Sequence, residues 1–208
     1  MNDLSAFSAY STCAYADFLA DDAHMDIGIR SLWTGGARLV GRAFTVKCEP
    51  GDNLMVHAAI YQAPADSILV IEAGEAHFAV AGGNVCATAA ERGIAGFVID
   101  GVVRDRAEIE EMAFPVYARG TVPKPGKKKR LGQMEVPITC GGVTVNTGDI
   151  VVADEDGIVV IPAQDADTLL AKASAKADKE SAQSLSDWQR DHQSKIETLV
   201  NELTQKGS

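Results

Sequence analysis

The sequence lacks the features of nucleic-acid-binding, membrane-spanning and zinc-ribbon proteins. Its 29 Asp and Glu outnumber 19 Lys and Arg, and the net charge of −10 disfavours binding to a phosphate backbone, which depends on basic side chains. The cysteines form no C-x-x-C pair, which argues against a zinc ribbon or a thioredoxin-like site. No apolar run approaches the ~20 residues of a membrane span, and no cationic start precedes an apolar segment. We therefore expect a cytoplasmic protein that binds neither nucleic acid nor membrane.

Short apolar segments alternate with segments of helical character in the first two thirds of the chain. Strand-like segments lie at 39–48, 67–73, 94–100 and 114–120. Helix-like segments lie between them, at 54–63, 85–93 and 104–112. This alternation predicts an α/β layer with buried strands.

The last third of the chain has a different pattern. Residues 121–132 are rich in Pro, Gly and Lys, which predicts a mobile loop, and short strands separated by turns follow over 135–162. From 165 to about 203 the chain has neither Pro nor Gly and is polar, which predicts a long helix or a helix pair on the outside. We expect one α/β domain over 1–163 and a helical extension over 164–208.

Two glycines precede the second predicted helix, in the stretch Gly82, Gly83, Asn84 and Val85. The first turn of a helix leaves backbone N–H groups unpaired, and the helix dipole favours an anion there. Glycine also lets a ligand approach the backbone closely. The alternative is a tight strand-to-helix turn with water on those amides, and the glycine pair alone does not decide between them.

Arg104 and Asp105 stand side by side at the end of an apolar segment. A guanidinium offers planar donors to a carboxylate or an enolate oxygen, and a carboxylate beside it can hold a hard divalent cation. In the alternative, the pair marks the point where a strand reaches solvent, and Asp105 caps the next helix. The residues alone leave both open.

Other candidate residues carry weaker signals. No G-x-S-x-G motif is present, and Cys86 and Cys140 have no recognisable catalytic partner, which disfavours a nucleophilic hydrolase. His57 lies in an apolar helical pattern, where a structural histidine is commoner than a ligand. The basic cluster at 127–130 is typical of a solvated loop, and the alternative is that it recruits a polycarboxylate substrate.

Three stretches together resemble a known family: AGGNVCATAAERGIAGFVIDGVVRD, FPVYARGTVPKPG and VPITCGGVTVNTGDIVVADEDGIVVIP. They are similar to the class II pyruvate aldolases typified by 4-hydroxy-4-methyl-2-oxoglutarate/4-carboxy-4-hydroxy-2-oxoadipate aldolase, a family that also includes the regulator of ribonuclease activity A. The resemblance runs from about Val40 to Pro162. It implies an α/β fold with a central β-barrel-like sandwich flanked by helices, of the swivelling β/β/α type. It also implies a homotrimer or homohexamer with active sites between subunits, where the C-terminal extension contacts a neighbour.

The resemblance implies roles for individual residues. The backbone amides of Gly82, Gly83, Asn84 and Val85 would hold the carboxylate of a pyruvoyl group. Arg104 would contact the keto oxygen and stabilise the enolate, and Asp105 would anchor Mg²⁺ or Mn²⁺, partly through water. Glu180 would reach the water shell of the metal from a neighbouring subunit.

One position departs from the family pattern. The aldolases of the family carry an acidic residue at a fixed distance before the Arg-Asp pair (D/E-x20-R-D), and here that position is Gly83. We predict a metal-dependent lyase that cleaves a 4-hydroxy-2-oxo acid, decarboxylates oxaloacetate, or does both, giving pyruvate through its enolate. The alternative is a non-catalytic regulator that binds a protein partner.

Overall fold

The computed structural model describes residues 4–33, 35 and 38–206. Its α-helices are α1 (Leu4–Ser8), α2 (Thr12–Ala16), α3 (Leu54–Gln62), α4 (Gly83–Glu91), α5 (Arg106–Glu111), α6 (Ala166–Ala182) and α7 (Leu185–Lys206). Its strands are β1 (Arg30–Ser31), β2 (Leu39–Lys47), β3 (Ser67–Glu72), β4 (Gly96–Val103), β5 (Val116–Thr121), β6 (Gln133–Met134), β7 (Ile138–Cys140), β8 (Val143–Val145), β9 (Ile150–Ala153) and β10 (Ile158–Ile161).

A mixed 8-stranded sheet forms the centre, in the order β1-β5-β4-β3-β2-β9-β10, with β6 beside β2. Strands β2 to β5 are parallel neighbours in sequence order, and α3, α4 and α5 connect them. The segments β9, β10 and β1 run antiparallel to their neighbours. The predicted α/β alternation is therefore confirmed, with strand bounds within a few residues of the expected ones.

The sheet is curled into a half-barrel, and both of its faces are covered. In β3, Leu69 and Ile71 pack toward α3, α4 and α5, whereas Ile68 and Val70 pack on the opposite face with the β7–β8 hairpin. Burial on both faces explains why β3 is apolar at successive positions instead of alternating. Each such side chain contributes about 1.5–3 kcal/mol on burial.

A third apolar cluster lies between the β9–β10 hairpin and the helices α1, α2 and α6. Ile150 and Val159 face this cluster, where Leu169 of α6 packs against them. Helix α6 is thereby attached to the sheet. In contrast, α7 has no buried residue. No helix in the described ranges is long and apolar enough to cross a bilayer.

The basic loop that was predicted to be mobile is attached to the body of the protein. Asp52, 2% exposed, accepts hydrogen bonds from the amides of Lys129 (2.7 Å) and Arg130 (3.1 Å). The amide of Gly126 donates to Ala79 O at 2.8 Å, and that of Asn53 donates to Lys127 O at 2.7 Å. Because these backbone groups are paired, the loop has a defined path despite its composition.

Candidate active site

The candidate site forms where the end of β4 meets the start of α4. Just before α4, the chain runs alongside β4: the amide of Val80 donates to Val102 O, and the amide of Arg104 donates to Ala81 O, each at 3.0 Å. These bonds extend the sheet by one short segment and fix its register. As a result, the glycine pair at the start of α4 lies directly against Arg104 and Asp105.

The Asp105 carboxylate is the centre of this arrangement. Its Oδ2 accepts a hydrogen bond from the amide of Gly83 at 3.1 Å and lies 3.2 Å from Arg104 Nε. The side chains of Arg104 and Asp105 are 43% and 32% exposed, so a ligand can reach both. The two residues that the sequence singled out therefore form one ion pair at the surface.

The backbone at Asp105 adopts the left-handed conformation, with φ 58° and ψ 38°. This conformation costs about 1–2 kcal/mol for most L-residues, and Asp is one of the few types that adopt it. Asp105 precedes α5, but its side chain makes no capping hydrogen bond to that helix. Its carboxylate points instead toward Gly83, so the capping role considered from the sequence is not the one it performs.

Gly82 leaves no room for a side chain. A Cβ at this position would lie 2.5 Å from Asp105 Oδ2 and 2.9 Å from Arg104 Cγ. The φ of Gly82 is −162°, an extended conformation that any residue adopts. Close approach of the Arg104 and Asp105 side chains, not backbone conformation, therefore requires glycine here.

Gly83 is crowded by a residue that the sequence did not single out. A Cβ on Gly83 would overlap Oε2 of Glu108 and would lie 3.1 Å from Glu108 Cδ. Glu108 belongs to the first turn of α5 and is exposed. A third charged side chain thus reaches the start of α4. The feature of the sequence that could have pointed to Glu108 is its position in the helical turn that follows Asp105.

The amides at the start of α4 divide into two groups. The amide of Gly83 donates to Asp105, and the amide of Val85 donates to Gly82 O at 3.1 Å. Among the hydrogen bonds of the described residues, the amides of Gly82 and Asn84 have no acceptor. The predicted carboxylate site therefore has two available backbone donors at the positive end of the α4 dipole.

Cys86 lies on α4 next to this site and is fully buried. Burial, with a smaller effect of the Asp105 charge, raises the pKa of its thiol to about 12. Cys86 is therefore protonated at neutral pH, and the thiolate that a nucleophilic cysteine requires is absent. This agrees with the argument against a nucleophilic hydrolase.

Glu180 lies in another part of the chain. It is on α6, where Oε1 is 3.8 Å from Lys176 Nζ, and it lines a cavity with Asp17, Phe18 and Trp188. Within the described residues, no group of three or more His, Cys, Asp or Glu side chains could hold a metal ion. The predicted contribution of Glu180 therefore requires a second copy of the chain, and it stays a prediction.

The Asp105 carboxylate fits a metal that keeps most of its water. The contacts that the described residues make to this carboxylate use Oδ2, so Oδ1 is available to a ligand. Mg²⁺ is commonly held by one or two carboxylates, with water and substrate oxygens completing its shell. A single exposed carboxylate beside two available amides is compatible with such a site.

Residues 12–160 match the family model described as RraA-like, Aldolase/RraA. The chain belongs to this family. One relative of this RraA-like chain, from Halalkalibacterium halodurans, is provisionally named 4-hydroxy-4-methyl-2-oxoglutarate aldolase. It is 38% identical over 174 residues, which cover 83% of the chain and 82% of the relative.

Two solved structures share the fold. An uncharacterized protein from Pseudomonas syringae superposes with a TM-score of 0.76 at 31% identity, covering 85% of this chain and 84% of that one. The RNA-processing inhibitor RraA from Thermus superposes with a TM-score of 0.66 at 31% identity, covering 73% of this chain and 92% of that one. The family thus contains both proteins named as aldolases and proteins named as inhibitors of RNA processing.

Proposed function

We propose that this RraA-like chain is a divalent-metal-dependent lyase that cleaves a C–C bond of a 2-oxo acid and releases pyruvate. The observation that carries the proposal is the convergence of Arg104, Asp105 and the start of α4, with 3.2 Å between Arg104 Nε and Asp105 Oδ2. The name of the Halalkalibacterium halodurans relative supports the same class of reaction.

In this proposal the chain's own groups bind and polarise the substrate. The amides of Gly82 and Asn84 hold the carboxylate of the 2-oxo acid, and the Arg104 guanidinium donates to its C2 oxygen. A divalent cation at Asp105, Mg²⁺ or Mn²⁺, would supply Lewis-acid polarisation of the same oxygen. Donors aimed at an oxygen where negative charge develops accelerate such reactions by roughly 10²–10³-fold each.

Two substrate types use this arrangement. In a 4-hydroxy-2-oxo acid, the C4 hydroxyl loses its proton, C4 becomes a carbonyl, and the C3–C4 electron pair moves into the enolate of pyruvate. In oxaloacetate, the C4 carboxylate departs as CO₂, and the electron pair of the C3–C4 bond forms the enolate of pyruvate. Both reactions need a stabilised enolate, but only the first needs a group that accepts the hydroxyl proton.

The first prediction concerns the ion pair. We expect Arg104→Ala and Asp105→Ala each to lower kcat/KM for pyruvate release by about 100-fold or more, because each removes a group that stabilises the enolate or holds the metal. Lactate dehydrogenase coupling measures the release with and without Mg²⁺ or Mn²⁺. Arg106→Ala is the matched control, since its guanidinium is exposed and pairs with Glu110 at 3.9 Å.

A non-catalytic regulator is the second candidate function. The solved RNA-processing inhibitor from Thermus, 31% identical, supports it. The same assay separates the two candidates. Wild-type protein that releases no pyruvate from oxaloacetate or from 4-hydroxy-2-oxo acids, with either metal present, would favour the regulator.

A further inference from the structure

A separate cavity lies between the two helices of the C-terminal extension. This α6–α7 cavity has a volume of about 700 Å³ and is lined by residues on both sides of Gln183, where α6 ends. Sites for small molecules usually have volumes of roughly 300–1,000 Å³. Both helices follow residues 12–160, the part of the chain that the family model matches. The walls of the cavity therefore come mainly from the extension and not from the domain that carries Arg104 and Asp105.

The α6–α7 cavity contains more ammonium groups than carboxylates. Its lining includes four lysines and three acidic residues: Lys172, Lys176, Lys179, Lys195, Asp17, Glu180 and Asp191. Lys176 Nζ lies 2.5 Å from Asp17 Oδ2 and 3.8 Å from Glu180 Oε1, so one ammonium pairs with two of the carboxylates. The third carboxylate, on Asp191, accepts a hydrogen bond from Gln183 Nε2 at 3.1 Å.

Two of the lysines have no carboxylate partner. Lys179 on α6 and Lys195 on α7 are exposed, and neither takes part in an ion pair of the described residues. Each helix thus contributes one unpaired ammonium to the same cavity. An ammonium offers three donors to phosphate or carboxylate oxygens. In a chain with a net charge of −10, the cavity is therefore a local site that attracts an anion.

Aromatic side chains line the α6–α7 cavity beside these lysines. The rings of Trp188 and His192, which are one turn apart on α7, stack with 4.4 Å between their centroids and 13° between their planes. Phe18 lines the same cavity, and Lys172 Nζ lies 5.8 Å from the centroid of its ring. Trp188 is 49% exposed, so its indole is accessible to a ligand. Planar rings of ligands stack favourably on such side chains.

We propose that the α6–α7 cavity binds an anion that carries a planar aromatic ring. The ring stacks on Trp188, and the anionic group accepts hydrogen bonds from the ammonium groups of Lys179 and Lys195. Nucleoside phosphates and aromatic carboxylates share this chemistry. The proposal does not rest on the lyase function, because binding at the cavity requires neither Arg104 nor Asp105.

Calorimetric titration of the full chain tests the proposal with AMP and benzoate as ring-bearing anions. Adenosine supplies a ring without the charge, and inorganic phosphate supplies the charge without a ring. We expect saturable binding of AMP, of benzoate or of both with a Kd below about 1 mM, and binding of adenosine and phosphate at least about 10-fold weaker. Tighter binding of AMP assigns the cavity to nucleoside phosphates, and tighter binding of benzoate assigns it to aromatic carboxylates.

Lysine variants test whether the ammonium groups hold the anion. Lys179→Ala and Lys195→Ala should each weaken binding by about 10-fold, because each removes a charge-assisted hydrogen bond. Lys195→Arg keeps the charge and should retain most of the affinity. Lys206→Ala, at an exposed lysine in the last turn of α7, is the matched control and should bind as the wild type does.

Trp188 reports whether the ring lies in the cavity. The chain has two tryptophans, so Trp33→Phe leaves Trp188 as the single indole fluorophore. Its fluorescence should change on titration with the Kd that calorimetry gives. The proposal is overturned if neither AMP nor benzoate binds saturably up to about 10 mM, if adenosine or phosphate binds as tightly, or if both lysine-to-alanine variants bind like the wild type. These experiments measure binding and not turnover, so their failure leaves the lyase proposal standing.

Discussion

At the scale of single residues, the site depends on a position where any side chain would collide. The clearest case is Gly82→Ala, which places a Cβ 2.5 Å from Asp105 Oδ2 and 2.9 Å from Arg104 Cγ. Both side chains must then move apart, and the geometry that we propose orients the enolate is lost. We expect kcat/KM for pyruvate release to fall by at least about 10-fold, in line with the sensitivity of catalysis to small displacements.

A second glycine serves as the control for that substitution. Gly142 lies in the β7–β8 turn with φ 81° and has no atom within 4 Å of an added Cβ. Gly142→Ala should therefore cost about 1–2 kcal/mol of stability through backbone strain alone and leave the activity per folded molecule unchanged. The prediction for Gly82 would be wrong if both variants kept full activity.

The sequence identified site residues where chemically reactive side chains directly follow a predicted strand. Arg104 and Asp105 follow an apolar strand directly, so their pairing could be anticipated from the sequence. The approach of the Glu108 carboxylate to Gly83 could not be anticipated in this way, because it depends on how α5 packs beside α4. A glycine signals room for a neighbour but does not identify which neighbour fills it.

At the scale of elements, the path of the basic loop is set by a residue far away in sequence. Asp52 is separated from Lys129 by 77 positions, and it also accepts a hydrogen bond from the amide of Leu54 at 2.9 Å. The Lys, Pro and Gly content of this loop predicted a mobile segment. The prediction was wrong because composition carries no information about an acceptor that another loop supplies. By contrast, the contact at the start of α7 is local: Ser184 Oγ accepts a hydrogen bond from the amide of Asp187, three residues further along the chain.

The Asp52 contacts make stability depend on pH. Burial works to raise its pKa, but hydrogen bonds from the amides of Leu54, Lys129 and Arg130 outweigh burial, and the pKa lies below its ordinary value. A carboxyl with a lowered pKa in the folded state stabilises the fold above its ordinary pKa of about 3.9, and this contribution is lost as the pH falls through the folded-state value.

Asp52→Asn should remove most of that contribution. We expect a loss of about 1.5–3 kcal/mol at neutral pH, the usual size for hydrogen bonds to a charged group, and a smaller loss under acid conditions, where the wild type is protonated too. Urea unfolding of the wild type and of Asp52→Asn, at neutral pH and at acid pH below about 3.9, measures the difference in their free energies of unfolding. Asp22→Asn, at an exposed aspartate, should change stability by no more than about 0.5 kcal/mol. An equal difference between wild type and Asp52→Asn at every pH would contradict the role of its charge.

At the scale of the whole molecule, the alternation of strands and helices was enough to predict the α/β class. It did not give the antiparallel β9–β10 edge or the curl of the sheet, because these depend on which strands meet across long connections. The resemblance to the family implied a barrel-like core, which agrees with the curl of the sheet, but it did not give the antiparallel edge. The proposed role of Glu180 cannot be derived from one chain, because Glu180 lies on α6, which packs on α2 and the β9–β10 hairpin, whereas Asp105 follows β4.

Helix α7 presents apolar side chains that the described residues of one chain leave partly exposed. Trp188 is 49% exposed, Leu199 42% and Leu203 67%, and these residues share one side of the helix by their spacing. Exposed apolar residues in this arrangement are typical of a surface that meets another chain. We therefore expect the extension to pack on a neighbouring subunit, which would bring Glu180 of one chain toward Asp105 of another.

A complementation experiment tests this arrangement. Arg104→Ala and Glu180→Gln are each expected to be impaired when assembled alone. After the two are unfolded and refolded together, random assembly joins an intact Arg104 to an intact Glu180 in about a quarter of the interfaces, and pyruvate release should recover to about that fraction of the wild-type rate. Refolding each variant with itself is the control. If both residues of a site came from the same chain, every site in the mixture would carry one defect, and the mixture would be no more active than the average of the two variants.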